Sequence, residues 1–213
     1  MIDLYTAATP NGHKVSIALE ELELAYEVHP LRFDQQEQKA PAYLKINPNG
    51  RIPAIVDHQG PDGQTVSLFE SGAILLYLAE KAGGLLPRDA LERLRAMEYL
   101  FLQVASVGPM FGQAGWFLRS TPTPCAVAIE RFRGEALRLT GVLEARLREQ
   151  PWLAGSEYSL ADIMNFSWLR MAHYGGVELA RFPAVAAWVA AFKAGAPFQG
   201  ELLLQRGGRA QPT

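Results

Sequence analysis

A change of texture near residue 82 constrains this chain of 213 residues more than any other feature. Before it, short apolar runs with a period of two alternate with helical stripes. After it, only spacings of three and four recur. Residues 82–87 (Ala-Gly-Gly-Leu-Leu-Pro) read as a linker that ends in a proline before a new helix. The pattern predicts an α/β domain over residues 1–81, an all-α helical bundle over 88–206 and a frayed tail over 207–213.

In the first half, Ile2 and Leu4 alternate with Asp3 and Tyr5, as in a half-buried strand. Thr9-Pro10 reads as N-cap and first helical residue, with Asn11 as the competing cap. Val15, Ala18, Leu19 and Leu22 follow at helical spacing. Residues 25–31 read as a second strand, so the first two strands and their helix suggest a βαβ unit with a parallel pair. A short helix over 41–46, strands over 54–57 and 66–69, and an apolar helix over 71–82 complete the order β-α-β-α-β-β-α. Asp62-Gly63 supplies a hairpin signal between the last two strands.

In the second half, helical stripes run over 91–108, 126–149, 159–173 and 183–195, with residues 108–120 read as an unassigned loop. Ser159-Leu160-Ala161-Asp162 is a capping-box pattern, in which Ser159 and Asp162 satisfy each other's backbone amides. Its reading is structural: it nucleates a core helix.

Composition removes several function classes. Hydrophobic residues are 49% of the chain, too many for global disorder, and a net charge of −2 gives no basic field for nucleic acid. No apolar run is long enough to span a membrane and no signal peptide opens the sequence, so no membrane partner is expected. The single cysteine, Cys125, excludes an internal disulfide and a multi-cysteine zinc site. It fits a reducing, cytoplasmic compartment. The four histidines show no metal-ligand spacing, so no metal is expected.

Residues 47–56, Asn-Pro-Asn-Gly-Arg-Ile-Pro-Ala-Ile-Val, run a turn straight into an apolar strand. Proline at the mouth of a strand lacks the N–H that a ladder would use, and Ile52-Pro53 is a candidate cis peptide. Such a bend would expose the Ile52 backbone groups, which could clamp an extended peptide. A tight turn leading into a strand is the plainer reading of the same residues.

Three long runs carry a family resemblance: Thr9-Pro10-Asn11-Gly12-His13-Lys14, Arg51 through His58, and Leu68-Phe69-Glu70-Ser71-Gly72-Ala73-Ile74. With the order of elements, they make the chain resemble the cytosolic glutathione transferases over nearly its whole length. The resemblance is to the bacterial nu class, to which the yeast nitrogen-regulator prion domain is also similar. It implies a thioredoxin-like N-terminal domain, an all-α C-terminal domain, a two-fold homodimer, and glutathione, reduced or oxidised, as cosubstrate.

On that resemblance, a glutathione site follows from the tripeptide's needs. Glu70 and Ser71 would take the γ-glutamyl ammonium and α-carboxylate, the latter favoured by a helix N-terminus. Ile52, before Pro53, would clamp the cysteinyl backbone. Gln38 would hold the glycine carboxylate, with Lys39 as a second candidate. A thiol reacts as thiolate, and the resemblance points to Thr9 and Asn11 as the residues facing the sulfur. Tyr5 is the runner-up, read mainly as sheet packing. In the helical half, Gln103 and Arg131 match positions that bind a second glutathione moiety, against the plainer readings of a satisfied buried amide and a solvated helix face. Trp116 and Phe117 are candidates for the substrate end, or core. Cys125 reads as buried or idle.

With no cysteine in the first turn, bound glutathione would have to supply every thiol, which favours a glutathione-dependent disulfide-bond oxidoreductase. Conjugation of glutathione to electrophiles is the alternative, and a non-catalytic glutathione-binding or regulatory module the second alternative.

Overall fold

A computed structural model describes residues 1–194; the expected tail at 207–213 lies outside the described residues. Two compact units divide the chain, the first spanning Met1–Leu85 and the second beginning at Leu86.

The first unit runs β1 (Ile2–Thr6), α1 (Pro10–Glu21), β2 (Tyr26–Pro30), α2 (Pro41–Leu44), β3 (Ala54–Asp57), β4 (Val66–Phe69) and α3 (Ser71–Ala82). The sheet order is β2-β1-β3-β4. β1 and β2 are parallel, as the βαβ reading requires; β3 is antiparallel to both β1 and β4. This is the thioredoxin-like arrangement.

Alternation along β1 sorts its two faces. Ile2, Leu4 and Thr6 are buried, while Asp3 and Tyr5 are half-buried. Val15, Ala18 and Leu19 of α1 and Ile74, Leu75 and Leu78 of α3 are fully covered and form the core with Leu4 and Ile55. Full burial of each valine, leucine or isoleucine side chain among them contributes about 1.5–3 kcal/mol. On the other face Tyr5 stacks on His29, with ring centroids 4.7 Å apart, and meets Tyr43 of α2 at 5.9 Å. Its role is sheet packing, and burial raises its hydroxyl pKa.

Gly83, at φ 74°, caps α3 in the left-handed region. The second unit then runs α4 (Ala90–Leu102), a π-helical stretch (Gln103–Val107), α5 (Gly108–Arg119), α6 (Ala126–Glu149), α7 (Leu160–Leu169) and α8 (Pro183–Ala194). Asp89 caps α4 by accepting from the Leu91 and Glu92 amides. Ser159 and Asp162 form the capping box at α7. The Asp162 carboxylate also accepts from the Leu153 amide at 3.0 Å and the Trp188 indole at 3.1 Å, which ties α7 to α8 and the preceding loop.

One expectation fails outright. Residues 108–119 form helix α5, not a loop. Pro109 sits in the first turn, where its missing N–H costs nothing. The glycines there are packing positions: a Cβ on Gly115 would lie 1.9 Å from the Tyr174 ring.

Candidate active site

Strand register gathers three loops at one edge of the first unit. Tyr5 pairs with Ala54, and Ala54 pairs with Phe69. The residues that continue from these rungs are Thr6, Pro53 and Glu70. The Thr9 turn, the Ile52-Pro53 bend and the Glu70-Ser71 turn therefore leave the sheet side by side.

The first loop is shaped by a close approach. A Cβ on Gly12 would stand 2.2 Å from the Ala7 carbonyl oxygen and 2.4 Å from Thr6 Oγ1, so only glycine lets α1 begin here. Thr9 is the N-cap: its hydroxyl oxygen accepts from the Gly12 amide at 3.2 Å. The Thr9 hydroxyl proton is left for another acceptor. Asn11, the competing cap, is instead in the first turn of α1, with its Oδ1 accepting from Lys14 Nζ at 3.0 Å.

The second loop is braced around Arg51. Asn47 Nδ2 donates to the Arg51 carbonyl at 2.7 Å, and the Tyr43 hydroxyl donates to the same oxygen. Burial pushes the Tyr43 hydroxyl up to about 12, so it stays a donor. Asn47 Oδ1 accepts from the Asn49 amide at 3.0 Å, and Gly50 turns the chain at φ 60°. The Ile52–Pro53 peptide is cis. Ile52 precedes the ladder, whose first paired residue is Ala54.

Gln38 belongs to a short 3-10 turn (Glu37–Lys39) bound to this bend, because Lys39 Nζ donates to the Asn49 carbonyl at 3.3 Å. The Gln38 Oε1 is buried without a hydrogen-bond partner among the described residues. Lys39 itself is exposed and spent on that contact.

Glu70 precedes α3 at φ 70° and ψ 112°, a strained conformation for a side chain with a Cβ. Strain of this kind costs about 1–3 kcal/mol and persists where the surroundings impose it, commonly at ligand sites. Ser71 opens α3, 8% exposed, with Oγ 3.4 Å from Lys14 Nζ.

Lys14 was not among the candidate residues read from the sequence. It is 2% exposed, contacts Asn11 and Ser71 through one ammonium, and is held down to about 7 by burial, against the pull of the Glu70 carboxylate. Its signal was present: Lys14 falls four residues before Ala18, on the apolar stripe of α1, where a charge needs a reason. Tyr43 and Asn47 were also unassigned, and no local pattern marks them as braces for Arg51.

Gln103 and Arg131 belong to the second unit. Gln103 is 1% exposed, and its Nε2 would meet a Cβ on Gly108 at 2.8 Å, so it is packed against the first turn of α5. Its π-helical setting is the kind of irregularity found at functional sites. Arg131 is exposed on α6, 3.6 Å from Glu135 Oε1. Phe117 stacks on Phe132, but Trp116 is 45% exposed, not core. Cys125 is exposed at the start of α6, so of its reading as buried or idle the burial part fails.

One cluster could hold a cation. Asp3, Glu27 and His29 bring ligand atoms within 4.8 Å of one another, because the parallel register sets Asp3 beside Glu27. The Asp3 carboxylate is engaged by His58 Nε2 at 2.9 Å and His29 Nε2 at 3.4 Å, and these contacts lower its pKa against burial. The spacing in sequence gave no sign of it, since Asp3 meets Glu27 and His29 of β2 only across strands.

A thioredoxin-like unit with threonine and asparagine at the first turn, a cis-proline bend and a Glu-Ser helix start, followed by an all-helical unit, defines a glutathione transferase. The family model for the glutathione S-transferase N-terminal domain matches residues 1–80, and that for the C-terminal domain matches residues 109–194. The chain belongs to this family. It is 46% identical over 206 residues to the disulfide-bond oxidoreductase YfcG of Escherichia coli K12, covering 96% of this chain and 95% of that one. It is 41% identical over 163 residues to glutathione S-transferase 1 of Schizosaccharomyces pombe, covering 75% and 70%. Among solved structures, a Burkholderia graminis glutathione transferase with two glutathione molecules bound per subunit matches at TM-score 0.90 and 44% identity, covering 94% of this chain and 87% of that one. A Pseudomonas putida glutathione transferase with one glutathione disulfide per subunit matches at TM-score 0.90 and 41% identity, covering 94% and 90%. No helix among the described residues is long and apolar enough to cross a membrane.

Proposed function

We propose that this chain is a glutathione-dependent disulfide-bond oxidoreductase in which glutathione supplies every thiol. The observation that carries the reading is the cysteine count. The one cysteine, Cys125, belongs to the second unit, so the loop cluster that would bind the tripeptide has no protein sulfur. The name of the Escherichia coli relative and the glutathione disulfide in the Pseudomonas putida structure support the same reading.

Each residue has a role set by the groups its side chain or backbone can offer. Glu70 takes the γ-glutamyl ammonium, and Ser71 donates to the α-carboxylate with the N-terminus of α3 behind it. The Ile52 backbone, before Pro53, pairs with the cysteinyl backbone, and Gln38 reaches the glycine end. Thr9 O–H and the Asn11 amide donate to the sulfur anion. Gln103 and Arg131 serve the second glutathione moiety. The chain works as a cytoplasmic homodimer; Leu91, Leu94 and Phe101 of α4, all more than half exposed, supply an apolar face for a second copy.

The reaction is two thiol–disulfide exchanges. The bound glutathione thiolate attacks one sulfur of the substrate disulfide. A mixed disulfide forms, and the other half leaves as a thiolate that takes up a proton. A second glutathione thiolate then attacks the glutathione sulfur of the mixed disulfide, giving glutathione disulfide and releasing the second substrate thiol. Two glutathiones are oxidised and one disulfide is reduced.

The exposed Trp116, with Phe117 edge-on at 4.8 Å, favours the second reading, conjugation to an apolar electrophile. Parallel assays separate the two. Reduction of 2-hydroxyethyl disulfide by glutathione should proceed and fall sharply in the Thr9→Ala, Asn11→Ala double variant. Aryl-halide conjugation without disulfide reduction would reverse the ranking. Absence of glutathione binding by calorimetry would leave a non-catalytic module.

A further inference from the structure

Lys14 joins the sulfur-facing and γ-glutamyl parts of the candidate glutathione site, and neither the fold nor the core accounts for it. It is among the largest fully covered side chains of the described residues, on a helix face otherwise lined by Val15, Ala18 and Leu19. Its Nζ reaches Asn11 Oδ1 at 3.0 Å and Ser71 Oγ at 3.4 Å. Asn11 lies one turn away on the same helix, whereas Ser71 is 57 residues distant and starts a different helix.

We propose that Lys14 is a positioning residue that sets Asn11 and Ser71 as hydrogen-bond donors to an anionic thiol tripeptide. The inference rests on the reading of the site as a glutathione site.

Lys14 acts through hydrogen-bond sense. An ammonium has three donors and no acceptor. Against it, Asn11 can present only its carbonyl oxygen and Ser71 only its hydroxyl oxygen. The amide NH2 of Asn11 and the hydroxyl proton of Ser71 are then turned to other acceptors. These are the two groups that must donate if Asn11 faces a sulfur anion and Ser71 an α-carboxylate. Without Lys14, Asn11 could present either end of its amide to the sulfur, and the carbonyl end would repel a thiolate. The buried charge also favours both anions directly, because a cation in a low-dielectric setting is poorly screened. Its ordinary pKa is pulled down by burial, so an arriving anion stabilises the charged form.

The test uses Lys14→Met, which keeps the bulk and removes the charge and donors, with Lys14→Arg as the conservative variant. Reduced glutathione is titrated into each by calorimetry, and the bound thiol is titrated by its ultraviolet thiolate absorbance. The proposal predicts that Lys14→Met binds glutathione at least about tenfold more weakly, raises the bound thiol pKa by about one unit, and that Lys14→Arg restores part of both. An unchanged thiol pKa and affinity in folded Lys14→Met would overturn it while leaving the glutathione reading intact. A wild-type protein that binds no glutathione would overturn the reading and the inference together. Should Lys14→Met fail to fold, the Lys14 Cε resonance of the wild-type protein decides. It should move on saturation with reduced glutathione, and less with S-methylglutathione, which carries no thiolate. Equal movement, or none, would overturn the proposal.

Discussion

Asn47 donates to the carbonyl of Arg51 at 2.7 Å, across the turn that delivers Ile52 to the edge of the sheet. Asn47 is 2% exposed and also accepts from the Asn49 amide, so it is the hub of that turn. Asn47→Ala leaves the Arg51 carbonyl with one donor fewer and the Asn49 amide without its acceptor, which costs about 1–3 kcal/mol. The account predicts a lower urea midpoint together with a glutathione KM raised more than kcat is lowered, because Ile52 contributes binding and not chemistry. Steady-state kinetics in varied glutathione check it; a kcat loss with KM intact would contradict the binding role.

Gly12 tests the first loop. A methyl group there would collide with backbone at the end of β1 and cannot be absorbed by a side-chain rotation. Gly12→Ala should destabilise the chain by about 1–3 kcal/mol, the usual cost of overpacking, and should displace Thr9 and Asn11. The expected outcome is loss of glutathione binding even at temperatures where circular dichroism reports a folded protein.

Burial of Lys14 predicts a pH dependence. Its pKa falls from 10.5 to about 7 on folding, so between those values the unfolded chain holds a proton that the folded chain does not. Stability therefore rises with pH across that window and loses the increment as pH falls back through 7. In ligand-free protein, the stability of wild type relative to Lys14→Met should grow by a few kcal/mol between pH 7 and pH 10. Urea unfolding at several pH values measures it. A difference that stays flat would mean that the ammonium is not paying a desolvation penalty.

Asp162 holds the second unit. Its carboxylate accepts from the Ser159 amide and hydroxyl, the Leu153 amide and the Trp188 indole. Asp162→Ala leaves these buried donors unpaired and removes a cap, which should cost more than about 3 kcal/mol. A fall in the thermal midpoint much smaller than that of a typical buried polar deletion would contradict the assignment of this residue as the pin between α7, α8 and the loop at Leu153.

What the sequence disclosed was governed by whether its signals are local. Helix 126–149 was legible because its apolar residues step by three and four from Ile129 to Leu147, and helix 71–82 because a glycine follows it. Strands 54–57 and 66–69 were legible from their apolar content and bounding turn residues. Helix α5 was not, since Gly108, Pro109, Gly112 and Gly115 look like loop residues until Tyr174 is seen against Gly115. The three loops of the site were each visible as motifs. Their adjacency was not, because it depends on the Tyr5–Ala54 and Ala54–Phe69 rungs. Lys14 lay unassigned for a related reason, since its partner Ser71 is 57 residues away; Asn47 did because its bonds to Arg51 and Asn49 depend on the folded turn. The cation-capable group at Asp3, Glu27 and His29 arises only from parallel strand register.

Disulfide reduction without protein sulfur is the central claim, and one variant addresses it directly. Cys125→Ser removes the one thiol of the chain. Reduction of 2-hydroxyethyl disulfide by reduced glutathione is then measured for the cysteine-free protein beside wild type. The account predicts equal rates. A rate that collapses in Cys125→Ser would mean that the protein sulfur takes part in exchange, and would contradict the claim.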